Sequence, residues 1–220
     1  MRQKGTRDLF AYWNGLRRGR AAPERAEIDP AAIRHVLADT FMLEADRAEK
    51  FPFRLSGTRV NALFDAELKG RSFIDLWRPK EAQNMPALLL NVIDSACPIF
   101  ARIAAGPEGY GLTELELLLL PIHHHGKAQA RILGHIACPD QPSWLGLLPA
   151  QHLVLRALRV VRDEAATDPS MIQSRRAEPP ISWAANSWAA SSWAAKTHLF
   201  VQRGHLRIYP GGRRDEPIAT

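Results

Sequence analysis

The side chains best suited by type to chemistry are three consecutive histidines, His123, His124 and His125. Imidazole is a frequent metal ligand. Neighbouring side chains on a strand point to opposite faces, so three in a row rarely converge on one ion. A polar hairpin loop is the better reading. His135 and His152 stand singly and read as satisfied core or surface residues. Glu67, Asp75 and Glu81 could supply acid and base, but they form no recognisable pair and no nucleophile motif accompanies them. Glu67 and Asp75 read instead as caps of turns and helix starts. Cys97 and Cys138 each precede a proline in an apolar, strand-like segment and read as reduced, buried thiols. No ATP-binding glycine motif, phosphoacceptor histidine block or helix-turn-helix pattern is visible. The chain reads as a binding protein, not an enzyme.

Charge offers one further surface chemistry. The net charge of the 220-residue chain is +6. Residues 1–25 hold seven Arg/Lys against Asp8 and Glu24. Such an arm could touch nucleic acid or anionic lipid. No aromatic interleaving accompanies it, and Arg17, Arg18 and Arg20 fall where cations complement the C-terminal end of a helix dipole. Nucleic acid is therefore disfavoured as a partner. No run of 18 apolar residues exists to span a membrane. The basic N-terminus lacks the apolar core of a signal peptide, which makes the cytoplasm the default compartment.

The elements that must position these residues follow from periodicity and punctuation. Leu9, Phe10, Tyr12, Trp13 and Leu16 recur at helical spacing and predict an amphipathic N-terminal helix with an exposed aromatic face. Asp29-Pro30 predicts a helix start running to about Leu37. Residues 40–45 and 51–56 predict a hairpin, with Phe51, Phe53 and Leu55 on one face. Short helices follow over 58–64, 66–69 and 72–77. A longer helix is expected from Pro79 to about Ala96; Pro86 demands a kink, or a delayed start near Asn84. Strands are expected over 98–105, 112–122 and 128–138. An apolar helix is expected over 149–163. Beyond Ala165 the unit Ser-Trp-Ala-Ala recurs, with Trp183, Trp188 and Trp193 five residues apart. Steps of five turn about 140° on a helix, so these rings share no face, and the tail reads as disordered low complexity. Patterning alone supports an α+β sheet.

A more specific reading comes from the segment at 61–79, Asn-x2-Phe-x2-Glu-Leu-x-Gly-Arg-Ser-Phe-x-Asp-Leu-x2-Pro, taken with three other blocks. These are Tyr12-Trp13 with Leu16–Arg20, Pro23 and Arg25; Asp29-Pro30 with Ile33-Arg34 and Leu37; and Phe53-Arg54-Leu55 with Gly57-Thr58-Arg59. From Tyr12 to about Trp144 the chain resembles a family of small stand-alone bacterial PAS proteins, of an alphaproteobacterial type. Many PAS sequences place glycine where this chain has Asp65, which tolerates a left-handed turn better than most residues. The resemblance implies a five-stranded antiparallel sheet with helices on one face, plus flanking N-terminal and C-terminal helices. The domains expected are an N-terminal helix and linker (1–28), a PAS-like body (29–144), a C-terminal helix (145–164) and a tail (165–220).

The resemblance also implies a pocket between the long helix and the inner sheet face, lined by Phe53, Leu63, Phe64, Phe73, Trp77, Leu89, Ile93, Ile103 and Leu117. The same residue types pack an ordinary core, and that alternative stays open. Flavin-binding PAS light sensors carry a reactive cysteine near the position of Asn61, and haem-binding ones commonly place a histidine on the long helix. This chain has no cysteine between residues 1 and 96 and no histidine between 79 and 96, which disfavours both cofactors. The function implied is regulation by binding a small ligand, signalling proteins such as histidine kinases, or both. Phe10 and Trp13 are expected to form a homodimer seam, because a free amphipathic helix must bury its stripe.

Overall fold

In the computed structural model the N-terminal aromatic residues lie on α1 (Lys4–Arg17), which ends where Arg18 and then Gly19 adopt left-handed backbone. The structure describes residues 1–161 except Arg47, 124–130 and Asp140, together with the backbone at 202–203 and 206–207. Leu9 and Trp13, one helical turn apart, are both buried. The segment from Asp29 to Val36 is not the expected α-helix. Its amides bond three residues back (Ile33 to Pro30, Arg34 to Ala31, Val36 to Ile33), and Asp29 Oδ1 accepts the Ala31 N–H. Three-residue bonding of this kind makes tight turns. It places Ile33 and Val36, three apart, together in the core.

Strands β1 (Thr40–Glu44) and β2 (Phe53–Ser56) pair antiparallel. Met42 opposes Leu55 and Leu43 opposes Phe53, so Arg54 is an extra residue on β2. That bulge reverses the side-chain alternation. Phe51 and Phe53 are fully buried, whereas Leu55 is 41% exposed, which corrects the expectation of one shared face.

Helix α2 (Thr58–Phe64) closes on Asp65 at φ 46°, the left-handed turn expected there. The following segment is stitched to β2 by Gly70 N–H to Phe53 O, Phe53 N–H to Arg71 O, and Phe73 N–H to Phe51 O. The expected long helix is two helices, α3 (Pro79–Ala82) and α4 (Met85–Asp94), and Pro86 sits in the first turn of α4. Its missing N–H costs nothing there.

Three strands complete the expected sheet: β3 (Ile99–Ala105), β4 (Thr113–Ile122) and β5 (Arg131–Ala137). A sixth, β6 (Val154–Val160), replaces the predicted C-terminal helix. The order is β2-β1-β5-β4-β3-β6, every pair antiparallel. β6 covers an edge that β3 would otherwise leave open. On β3 Ala101 and Ile103 are two positions apart, while their partners Leu158 and Leu155 are three apart. The extra residue turns both leucines toward the inner core, and their three-residue spacing imitates a helical stripe.

Both faces of this sheet are buried, in contrast to the expected cover on one face. Leu115, Leu117 and Leu119 join the inner core beneath α2, α4 and the crossover, while Leu118, Leu120 and Ile122 pack outward with Leu9, Trp13, Ile33 and Val36. β4 thus reads as a near-continuous apolar run because neither side meets water. Gly134 on β5 underlies the Phe41 ring, and a β-carbon there would stand 2.1 Å from it. The chain divides into two units, Met1–Ile181 and Ser182–Thr220. In the second, β7 (Gln202–Arg203) and β8 (Leu206–Arg207) form an antiparallel pair. The predicted C-terminal tail, with Trp183, Trp188 and Trp193, otherwise lies outside the described residues.

Candidate functional site

The residues expected to line an inner pocket are brought together. Phe53, Leu63, Phe64, Phe73, Trp77, Leu89, Ile103 and Leu117 belong to one buried cluster, and Ile93 packs against it half-buried. Aromatic rings form its centre: Phe41 to Phe53 at 5.3 Å, Phe41 to Phe73 at 5.6 Å, and Phe73 to both Phe53 and Trp77 at 5.8 Å. Such offset and edge-on rings add to their burial energy. Trp77 has one unmatched group, its buried Nε1–H, which has no acceptor. That donor is the polar handle a molecule in this core would meet.

Phe10 and Trp13 are placed differently from expectation. Trp13 is 1% exposed, and its Nε1–H donates to Pro121 O at 2.8 Å. Phe10 stacks on it at 6.1 Å, half-buried. The stripe that was expected to lie open as a homodimer seam is covered by the chain's own sheet. The basic residues at the end of α1 serve that helix. Arg20 donates to Leu16 O and Arg17 O and forks onto Glu27, and the Arg17 guanidinium lies 5.3 Å from the Trp13 ring.

The polar chemistry of the body lies instead in the seam beneath the start of α1. Glu116, on the outward face of β4 and 6% exposed, accepts the N–H groups of Arg2 at 2.5 Å and Gln3 at 3.2 Å. A carboxylate at a helix N-terminus complements the dipole and the unpaired amides there. Thr6 is fully buried under the same helix, and its Oγ1 has no partner. His135, on β5 between Thr40 and Leu118 of the adjacent strands, is 1% exposed, and neither ring nitrogen has a partner. Burial pushes its pKa down from 6.5 to about 4, partly offset by Asp39 and Glu116, with Arg59 adding to the fall. The ring is therefore neutral at physiological pH.

His135 lines a cavity of about 210 Å³ at the end of the sheet. Gln3 at the cap of α1 and Gly5 within it close one side, and Leu63, Leu115 and Leu145 supply apolar wall. Asp39 and Arg59 stand at the rim as a two-pronged ion pair, Nε to Oδ1 at 2.6 Å and a second contact to Oδ2. A larger groove of about 710 Å³ lies on the outer face between the N-terminus and β6, where the Arg159 guanidinium covers the Phe100 ring at 4.9 Å.

Other expected groups are not gathered. His123 lies within 3.8 Å of Glu24; His124 and His125 lie outside the described residues. Among the described residues no three His, Cys, Asp or Glu side chains are close enough to hold a metal ion. Glu67 bonds Asn61 and the Lys69 N–H, fixing a turn. Cys97 and Cys138 form no disulfide. His135, read from the sequence as a satisfied core or surface residue, is in the core but unsatisfied. The available signal was a lone histidine in the apolar run Ile132 to Ala137, where a polar side chain on either face must be buried.

The architecture defines a mixed α/β domain, an antiparallel sheet clasped by a helical crossover on one face and an N-terminal helix on the other. A family model described as PAS domain matches residues 1–137, and the chain belongs to the PAS-domain family. The match includes α1, Glu116 and His135 and stops at the end of β5, so β6 lies beyond it. No curated protein matches the chain. PAS domains are in general sensory, non-catalytic modules of signalling and commonly mediate protein interactions and dimerisation. Among the described residues no helix is long and apolar enough to cross a membrane.

Proposed function

We propose that this chain is a bacterial regulator that works by binding, with α1 as the element that reports what is bound. One observation carries the reading: α1 is held over the sheet by a seam containing buried polar atoms without partners, Thr6 Oγ1 and both nitrogens of His135. These three unmatched buried atoms weaken the docking of the helix more than the single unmatched Trp77 Nε1 weakens the ring-packed inner cluster. A small ligand or a protein that favours one arrangement of α1 shifts the population toward it. When α1 lifts, Trp13, Phe10 and the outward leucines of β4 become available to a second copy or to a signalling protein such as a histidine kinase.

Hydrogen exchange and native mass spectrometry on the full chain test this together. The amides of α1 should exchange through a partial opening, at least about tenfold faster than those of β4 and β5. The mass spectrum should show a retained small molecule or a dimer. A bare monomer whose α1 exchanges only with global unfolding would overturn the proposal.

A further inference from the structure

We propose that the cavity beneath the start of α1 binds a small neutral molecule bearing a hydroxyl or amide on an apolar ring, with His135 as the recognising group. The inference rests on the sensory reading above and gives it a site. A neutral imidazole always presents one N–H donor and one bare nitrogen acceptor. In His135 both are buried without partners, and the residue is one of those that line the cavity. Native folds rarely leave such groups unmatched, so an unmatched pair beside a void marks the place of a missing partner.

The surroundings fix the chemistry of that partner. Arg59 is forked onto Asp39, and Glu116 is engaged by the Arg2 and Gln3 amides, so the nearby charges are already matched. An ion would find no spare counter-charge among them; a neutral polar group needs none. The wall of Leu63, Leu115 and Leu145 suits an apolar body. A void of about 150 Å³ admits benzene. One of about 210 Å³ therefore admits a single ring with a polar substituent.

Gly5 is the α1 residue that packs on the imidazole edge. A β-carbon there would lie 3.5 Å from His135 Nε2 and 3.1 Å from Val36 Cγ1, covering the imidazole edge. Because Gln3 caps α1 and Gly5 lies in it, while His135 and Arg59 belong to the body, an occupant touches both and holds the helix down.

The test uses the full chain with phenol and toluene, which match in size and differ in the hydroxyl. Calorimetry should find phenol bound roughly tenfold tighter than toluene, the loss expected when a buried polar group goes unpaired. Phenol should also shift the His135 ring resonances and slow exchange of the α1 amides. His135→Leu should erase the preference for phenol, and Gly5→Ala, which keeps the histidine, should weaken phenol binding if the first variant fails to fold. Equal affinity for the two probes, or binding of neither with only ordered water on His135 in a crystal structure, would overturn the site. A small molecule retained in native spectra while phenol leaves His135 unmoved would sink this site and leave the sensory reading standing.

Discussion

At His135 burial and polarity conflict, and the conflict makes the histidine a pH-dependent element of stability. Its folded pKa of about 4 lies below the ordinary 6.5. Between those values the unfolded chain binds a proton that the fold refuses. Stability is thus fully present above about pH 6.5 and is lost as pH falls toward 4, by about 3 kcal/mol. Unfolding free energies from urea titrations at pH 7 and pH 4.5 should differ by about 2.5 kcal/mol beyond the difference seen in His135→Leu, whose own profile lacks this component. Glu116 acts through charge-assisted bonds at the N-terminus of α1, so Glu116→Gln should cost about 1–2 kcal/mol and speed exchange in the first turn. Gly134 is required by contact rather than by backbone angle. Gly134→Ala drives a methyl into the Phe41 ring and should lose about 3 kcal/mol in urea unfolding.

Among the elements, α1 differs most from expectation. It was expected to be free and dimer-forming; it is docked, because the outward residues Met42, Leu118, Leu120 and Leu133 need cover as much as the helix does. Trp13→Glu should therefore lower stability by more than about 3 kcal/mol instead of converting a dimer to a monomer, since it removes a buried ring and leaves Pro121 O facing a charge. Chemical unfolding of the variant distinguishes the two outcomes from a simple change in mass. β6 has the converse history: its leucines are spaced like a helical stripe, yet the open edge of β3 recruits them as a strand.

For the molecule as a whole, two buried sheet faces imply two packing layers of unequal quality. The inner layer is ring against ring, while the outer one contains Thr6, Glu116 and His135. Removing residues 1–20 should uncover the outer leucines and drive self-association, visible as increased mass by light scattering and as dye binding. A monodisperse truncated chain with an unchanged melting temperature would mean that the helix contributes nothing to this face.

The sequence by itself determined the local features. Asp65 fixed a left-handed turn, Pro86 delayed α4, and strand-like runs bounded by turn residues located β1, β3, β4 and β5, because each signal lies within a few residues of its effect. The residues of the inner cluster were legible through the resemblance to the PAS family, which implied which apolar positions lie between the long helix and the sheet. Only the tertiary structure decided where α1 rests, that residues 154–160 complete a sheet, and that 29–36 form tight turns. These outcomes depend on partners distant in the chain: an open strand edge, an uncovered sheet face, a register shifted by one bulge. The unpaired state of His135 belongs with them, since whether a buried histidine finds a partner is settled by everything folded around it.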